Sequence, residues 1–274
     1  MQVSIIVSTY NSPNSLRLCL LGFLVQTAKD FEILIADDGS DDSTLEVLDD
    51  PAFEPLRIRH VWHEDRGFRK SRILNRAIAS SSADYVIFCD GDCIPRNDFV
   101  ASHLKHARAG CFISGTRVDL AAEIHRRFVD SDVLENRIFD INFLTELSEN
   151  LTRRKYRLVR NKYLARFLDL LTYRYCVFHG SNASVWRKDL IRVNGFDHDF
   201  VGYGSEDRDL GVRLRNAGVR SKFLKFSLVQ IHLAHGRDHI DSEAWPRNRR
   251  RFKARFFNGE THVANGLDTA LQAD

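Results

Sequence analysis

Asp90 and Asp92 are the residues of this chain best placed for chemistry: two carboxylates separated by one glycine, just after the apolar run Ala83-Asp84-Tyr85-Val86-Ile87-Phe88-Cys89. A short apolar run bounded by polar residues has the pattern of a buried parallel strand. In an open α/β sheet, ligands gather beyond the carboxyl ends of the strands. Two acidic side chains there form a hard oxygen site for Mn2+ or Mg2+, which would in turn hold phosphates. The plain alternative is an acidic turn, because Asp and Gly are turn residues anywhere. A second pair, Glu206-Asp207, follows Gly202-Tyr203-Gly204-Ser205. Acids in a first helical turn are ordinary, since they complement the helix dipole. A glycine-flanked loop just ahead, however, leaves both carboxylates open to a cleft, where one can accept a proton from an attacking hydroxyl.

The elements that must carry these groups alternate in type. The opening strand Val3–Val7 runs on to Ser8-Thr9-Tyr10-Asn11, and Ser12-Pro13 reads as N-cap and first-turn proline of a helix with Leu16, Leu20, Phe23 and Leu24 on one face. Phe31–Ala36 is a second strand ending in Asp37-Asp38-Gly39-Ser40, followed by a short helix around Ser43–Leu48. A third strand, Ile58–Trp62, ends at His63-Glu64-Asp65, and a helix over Lys70–Ser80 precedes the strand that ends at Asp90. Such alternation implies a parallel sheet with right-handed crossovers. Polar clusters then fall at the carboxyl ends of four successive strands and converge on one edge. Three of the four are acidic, which would be mutually repulsive without a cation or hydrogen-bond donors to offset them.

Composition narrows the function classes. The 274 residues are 43% hydrophobic and 28% charged with a net charge of +3, so nothing global argues for a nucleic-acid partner. Five cysteines form no CxxC pair and read as reduced core thiols, and a zinc site is rejected. No GxGxxG or Walker A loop follows the first strand, which disfavours a dinucleotide dehydrogenase and a P-loop NTPase. Phosphates would instead fall to a metal and to the basic run Gly67-Phe68-Arg69-Lys70-Ser71-Arg72. No signal peptide or spanning segment is recognised, and the expected location is cytoplasmic, peripheral at most at the inner face of the cell membrane.

Further along, a helix over 97–109 capped by Asn97 and a short strand over Cys111–Gly115 are expected. Residues 120–172 read as long, helical and charge-rich, with a basic segment from Arg153 to Arg166; a second basic run spans Arg247–Arg255. Solvated helix faces account for such runs, and contact with anionic lipid or a pyrophosphate-linked acceptor is the sharper alternative. Val177–Val185 is strand-like but broken by Gly and Asn. Ser205 is the expected N-cap of a helix carrying Leu210, Leu214 and Ala217, stopped by Gly218.

Taken together, Val3–Asn11, the Asp37-Asp38-Gly39-Ser40 turn, Gly67-Phe68-Arg69 with Asn75, and Asp90-Gly91-Asp92 resemble the family 2 glycosyltransferases. The resemblance implies the GT-A fold: a mostly parallel central sheet flanked by helices, here with a helical insertion and a C-terminal extension. It implies a nucleotide pocket lined by Ser8, Tyr10 and Asn11, with Asp38 accepting from the base and Arg69 near the nucleotide or diphosphate. Asp90 would sit near ribose and metal, and Asp92 would ligate Mn2+ or Mg2+ directly. Asn194-Gly195-Phe196-Asp197 with Gly202–Asp209 resembles the galactosyltransferase-type C-terminal region of β-1,4-galactosyltransferases and bacterial chondroitin-polymerase-like enzymes. That likeness implies Asp207 as catalytic base, Glu206 as an acceptor-binding or motif-holding residue, and His235, taken over His232, as a further metal ligand. Residues 1–115 would bind the donor, 116–240 the acceptor, and 241–274 would form a basic extension.

The implied activity is inverting transfer of a sugar from a UDP-sugar to a glycan or lipid-linked glycan acceptor in bacterial surface polysaccharide or lipopolysaccharide synthesis. A nucleotide-sugar-binding module and a sugar nucleotidyltransferase of related fold remain as alternatives.

Overall fold

Parallel strand pairing brings the acidic clusters together. In a computed structural model that describes residues 1–148, 151–172, 177–234 and 243–271, β1 (Val3–Thr9) lies between β2 (Glu32–Asp37) and β4 (Tyr85–Asp90), parallel to both. β3 (Ile58–Trp62) adds in parallel outside β2. The helices α1 (Pro13–Leu24), α2 (Asp42–Leu48) and α3 (Lys70–Ser80) make the crossovers. Alternate residues of the central strands enter two separate cores. Ile5, Val7, Ile33, Ile35 and Ile87 pack on one face, and Ile6, Leu34, Ala36, Val86 and Phe88 on the other. Both faces are therefore buried, which is why these strands read as continuous apolar runs.

Beyond β4 the sheet turns mixed. β6 (Cys111–Ser114) and β8 (Asn182–Trp186) extend it, β8 antiparallel to β4 and to β6, and β9 (Arg220–Phe223) closes the order β3-β2-β1-β4-β8-β6-β9. A second sheet is formed by β5 (Cys93–Pro95), β10 (Val229–Leu233) and β7 (Thr116–Leu120), with β10 in the middle. Cys19, Cys89, Cys93 and Cys111 are free and buried, as the core-thiol expectation requires, whereas Cys176 lies outside the described residues.

Several local expectations need correction. The helix expected from Asn97 is α4 (Phe99–His106), with Asp98 at its cap; the backbone N–H of Asn97 donates to Asn136 Oδ1 instead. The expected long helical stretch breaks into α5 (Ala122–His125), α6 (Asp130–Leu134), α7 (Ile141–Leu147) and α8 (Lys162–Leu171), with 3-10 turns between. Asp140, Thr152 and Asn161 each accept backbone N–H groups two or three residues on and so restart the chain. Ser12 caps nothing, since its hydroxyl donates to the Tyr10 carbonyl.

The C-terminal segment returns to the body. After α9 (Arg187–Arg192) and α10 (Glu206–Asn216), α11 (Ala244–Asn258) packs on α10, and α12 (Leu267–Leu271) packs on α3. The Arg247–Arg255 run is only partly solvated. Arg255 bridges Asp197 and Asp209 at 2.8 and 2.9 Å, Arg251 pairs with Asp199 at 2.9 Å, and Arg247 donates to the Val201 carbonyl.

Candidate active site

Strand register assembles the first group. Ser8 and Asp90 are register partners on β1 and β4, and Ser8 Oγ donates to Asp90 Oδ1 at 2.8 Å. Lys70, the first residue of α3, donates from Nζ to the same oxygen at 2.6 Å. Gly91 follows immediately; its N–H donates to the Ser8 carbonyl at 2.7 Å, and a Cβ at this position would stand 3.0 Å from that oxygen. The close approach of backbone to backbone explains the glycine between the two acids.

Asp92 faces the second sheet. His232, in β10 rather than after it, is in register with both Cys93 and Asp119. Its Nε2 stands 3.3 Å from Asp92 Oδ2 and its Nδ1 3.0 Å from Asp119 Oδ1. Burial alone would strip this imidazole of its proton, but the two carboxylates outweigh that and raise its pKa to about 9. Asp119 is held in turn by Arg117 at 3.2 Å and by Arg154. Oxygen atoms of Asp90 and Asp92 and the Cys93 sulfur lie within 4.8 Å of one another. Two hard carboxylates so converged, with an imidazole at their margin, fit a divalent cation such as Mn2+ or Mg2+. His235 lies outside the described residues.

The β2 and β3 ends build the neighbouring wall. Asp38 is buried and fully engaged, accepting from His63 Nε2 at 2.7 Å on Oδ1 and from the Arg69 backbone N–H at 2.8 Å on Oδ2. Asp37 accepts from Ser40 N–H and His60, which hold its carboxyl below the ordinary range against the opposing effect of burial. Tyr10 is exposed and donates to Asp65 Oδ2 at 2.9 Å. Asn11 pins the loop through Ser40 and Asp41. The Arg69 guanidinium donates to the Glu64 carbonyl.

The Glu206-Asp207 pair stands at the start of α10 (Glu206–Asn216). Asp207 accepts from the Gly180 and Arg208 backbone N–H groups at 3.2 and 2.7 Å. Glu206 has one sealed oxygen, Oε2, with no hydrogen-bond partner among the described residues. Burial and the charge of Asp207 raise its pKa to about 7, with Lys70 acting against them. Lys70 is correspondingly held protonated, since the charges of Asp90, Glu206 and Asp92 outweigh its burial. This ammonium therefore links the two acidic pairs electrostatically.

The loop ahead of α10 is unusual in its backbone. Gly202, Gly204 and Ser205 have φ of +77°, +111° and +73°, so Ser205 occupies the cap position but its side chain caps nothing. A Cβ at Gly204 would stand 2.8 Å from Trp245 Cδ1, which makes glycine obligatory there. Gly202 N–H donates to the Phe68 carbonyl, and the Phe68 and Tyr203 rings meet edge to face at 6.4 Å. The wall beside Arg69 is thus joined to the loop that delivers Glu206. Behind it, Arg213 pairs with Asp209 at 2.7 Å, both fully buried.

Of the residues singled out by sequence, Ser8 and Asp90 touch, Glu206 lies within electrostatic reach of Asp90, and Asp92 meets His232 rather than a described His235. Lys70 was visible only as one member of a basic run. Asp119 is marked by no motif, although Thr116-Arg117-Val118-Asp119-Leu120 alternates with the period of a strand.

Comparison with known proteins places this geometry. Residues 4–181 match the glycosyl transferase family 2 model, and residues 165–236 match a model described as the N-terminal domain of galactosyltransferase. The chain belongs to glycosyltransferase family 2 and has the GT-A fold. It is 30% identical to the uncharacterized glycosyltransferase YfnE of Bacillus subtilis over 264 residues, 86% of this chain and 65% of that protein. It is 25% identical to chondroitin synthase of Escherichia coli over 255 residues, 90% of this chain and 37% of that one. Among solved structures, the mannosyltransferase PcManGT of Pyrobaculum calidifontis, in complex with GDP-Man and Mn2+, superposes with a TM-score of 0.58 at 21% identity, covering 98% of this chain and 72% of that one. Residues 1–349 of S. aureus TarS, in complex with UDP, superpose with a TM-score of 0.63 at 15% identity, covering 99% and 70%. The chain spans about two thirds or less of the length of these curated relatives.

Proposed function

We propose that this glycosyltransferase moves a sugar from a UDP-sugar to a hydroxyl of a glycan or lipid-linked glycan, with inversion, in the assembly of a surface polysaccharide or lipopolysaccharide. The observation that carries the proposal is the meeting of two acidic pairs around one ammonium. Lys70 bonds Asp90 beside Asp92, and its charge also acts on Glu206, next to Asp207. One pair is suited to a donor diphosphate and its cation, the other to an acceptor hydroxyl. The GDP-Man and Mn2+ complex of PcManGT and the UDP complex of TarS support a nucleotide-sugar donor.

Asp207 takes the acceptor proton as the new C–O bond forms at the anomeric carbon. The bond from that carbon to the diphosphate oxygen breaks on the opposite face, and the electron pair leaves with the nucleotide. Gly180 N–H and Arg208 N–H hold the Asp207 carboxylate in place for that transfer. Glu206 binds the acceptor or holds the motif. Ser8, Tyr10, Asn11, Asp38 and Arg69 form the nucleotide wall, and holding both substrates in line supplies much of the acceleration. Asp92, with His232 or His235 and with Asp90 alongside, would hold Mn2+ or Mg2+, whose contribution is neutralisation of charge on the departing diphosphate.

A panel of UDP- and GDP-sugars, each with simple sugar acceptors and with Mn2+, Mg2+ or a chelator, tests the proposal by nucleoside diphosphate release. Acceptor-stimulated release of UDP is expected. Donor binding by calorimetry without release under any acceptor would replace the enzyme with a binding module.

A further inference from the structure

Helix α8 (Lys162–Leu171) is built inside out. On a helical projection Tyr163, Leu164, Phe167, Leu170 and Leu171 fall within one arc of roughly 120°. That arc faces solvent: Leu170 is 85% exposed, Tyr163 82%, Leu171 67% and Phe167 56%. The opposite side turns inward through Ala165 and Asp169, which are buried. The Asp169 carboxylate accepts the backbone N–H groups of Phe226 at 2.8 Å and Ser227 at 3.1 Å. This pair of bonds fixes the rotation of the helix about its axis, so the apolar stripe stays outward.

We propose that this stripe docks α8 flat on the surface of an anionic lipid bilayer. Charge complementarity selects that occupant. From Arg153 to Arg166 the chain carries seven Lys and Arg and no Asp or Glu; Arg154, Arg160 and Lys162 pair with Asp119, Asp140 and Asp98, and the segment keeps a surplus of cations. Arg166, exposed, flanks the arc, where its head reaches headgroup phosphates while its stem covers apolar surface; Lys162 stands further round the helix, 3.7 Å from Asp98. Tyr163 supplies an aromatic ring with a polar tip, a pattern suited to the headgroup level. A second copy of the chain fits worse, because a two-fold contact through this face would bring the two cationic flanks together. The inference goes beyond contact through basic segments, since the apolar stripe supplies the insertion and the cations supply lipid selectivity. It is also independent of the transferase reading, because vesicle binding is measured without turnover.

The test is co-sedimentation of the full chain with vesicles of phosphatidylcholine alone and of phosphatidylcholine mixed with phosphatidylglycerol, with the lipid-free protein followed by analytical ultracentrifugation. Wild-type protein is expected to bind the phosphatidylglycerol vesicles and to lose affinity as salt rises. The double variant Phe167→Ser/Leu170→Ser should bind roughly tenfold more weakly or worse at an unchanged melting temperature, since both side chains are already in solvent. Lys162→Glu/Arg166→Glu should abolish the preference for phosphatidylglycerol and provides a second variant pair. Equal vesicle binding by wild type and both variants would overturn the proposal, as would wild-type protein that ignores both vesicle types. A lipid-free dimer that Phe167→Ser/Leu170→Ser converts to monomer would overturn it too, marking the stripe as a contact between copies.

Discussion

Lys70 Nζ stands 2.6 Å from Asp90 Oδ1, both side chains about four-fifths buried at 21% and 19% exposure. A residue at the start of a helix and a residue at the end of the next strand thereby share one site. Removing the ammonium takes away the cation that acts on both Asp90 and Glu206, while Asp92 keeps His232. Lys70→Met is expected to cost about 2–3 kcal/mol of stability, read as a lower melting temperature in metal-free buffer. Added Mn2+ should restore part of the loss, and an unchanged melting temperature would remove Lys70 from its bridging role.

Glu206 carries a pH signature of opposite kind. Its pKa rises from the ordinary 4.5 to about 7, first because of burial and then because of Asp207. The folded state therefore keeps a proton that the unfolded chain releases, so stability falls as pH climbs through that window and levels above it. Glu206→Gln cannot titrate there. It should be more stable than wild type by about 1–2 kcal/mol at pH 8, with the difference shrinking toward pH 4.5. Parallel melting curves for the two proteins across that range would contradict the assignment.

Asp207→Asn preserves an acceptor oxygen for the Gly180 N–H but cannot take a proton. Transfer should fall by about 10²–10⁴-fold while calorimetric affinity for UDP with Mn2+ stays unchanged. Substantial turnover in this variant would move the base elsewhere.

Asp92→Ala should remove the metal-dependent part of nucleotide binding, measured by calorimetry with and without Mn2+. His232→Ala should weaken Mn2+ binding by about tenfold, since His232 Nε2 lies 3.3 Å from Asp92 Oδ2. The companion His235→Ala separates the two imidazoles: a larger loss there than in His232→Ala would make His235 the ligand.

Arg255 joins the C-terminal helix to α10 through Asp209 and Asp197, all three largely buried. Arg255→Ala strands two acids next to Arg213 and should cost about 3 kcal/mol. Chemical denaturation reads that loss. A companion loss of turnover at unchanged UDP affinity would show that the clamp also holds the Glu206-Asp207 turn.

Much of the first hundred residues was legible before folding. β3 and α3 fall on Ile58–Trp62 and Lys70–Ser80 as their patterns predict, because strand-favouring residues bounded by polar ones and an apolar stripe at helical spacing are both written in local residue choice. The convergence of Tyr10, Asp37-Asp38, His63 and Asp90 on one edge follows from strand–helix alternation alone. Residues 120–172 have one helical texture in sequence because basic, helix-favouring residues outnumber the turn signals there. Asp140, Thr152 and Asn161 restart the chain at three of the breaks.

What the amino-acid order determined by itself was the identity and strand-end position of the acidic groups, since covalent spacing places Asp90 and Asp92 two residues apart whatever else happens. Tertiary structure alone decided their partners. Lys70 reaches Asp90 across 20 residues of chain, and His232 reaches Asp92 and Asp119 only because β10 pairs with both β5 and β7. Such contacts depend on register between distant strands, which no local pattern encodes. The outward apolar face of α8 was decided the same way, by two backbone hydrogen bonds to Asp169 that set which side of an amphipathic helix the protein keeps for itself.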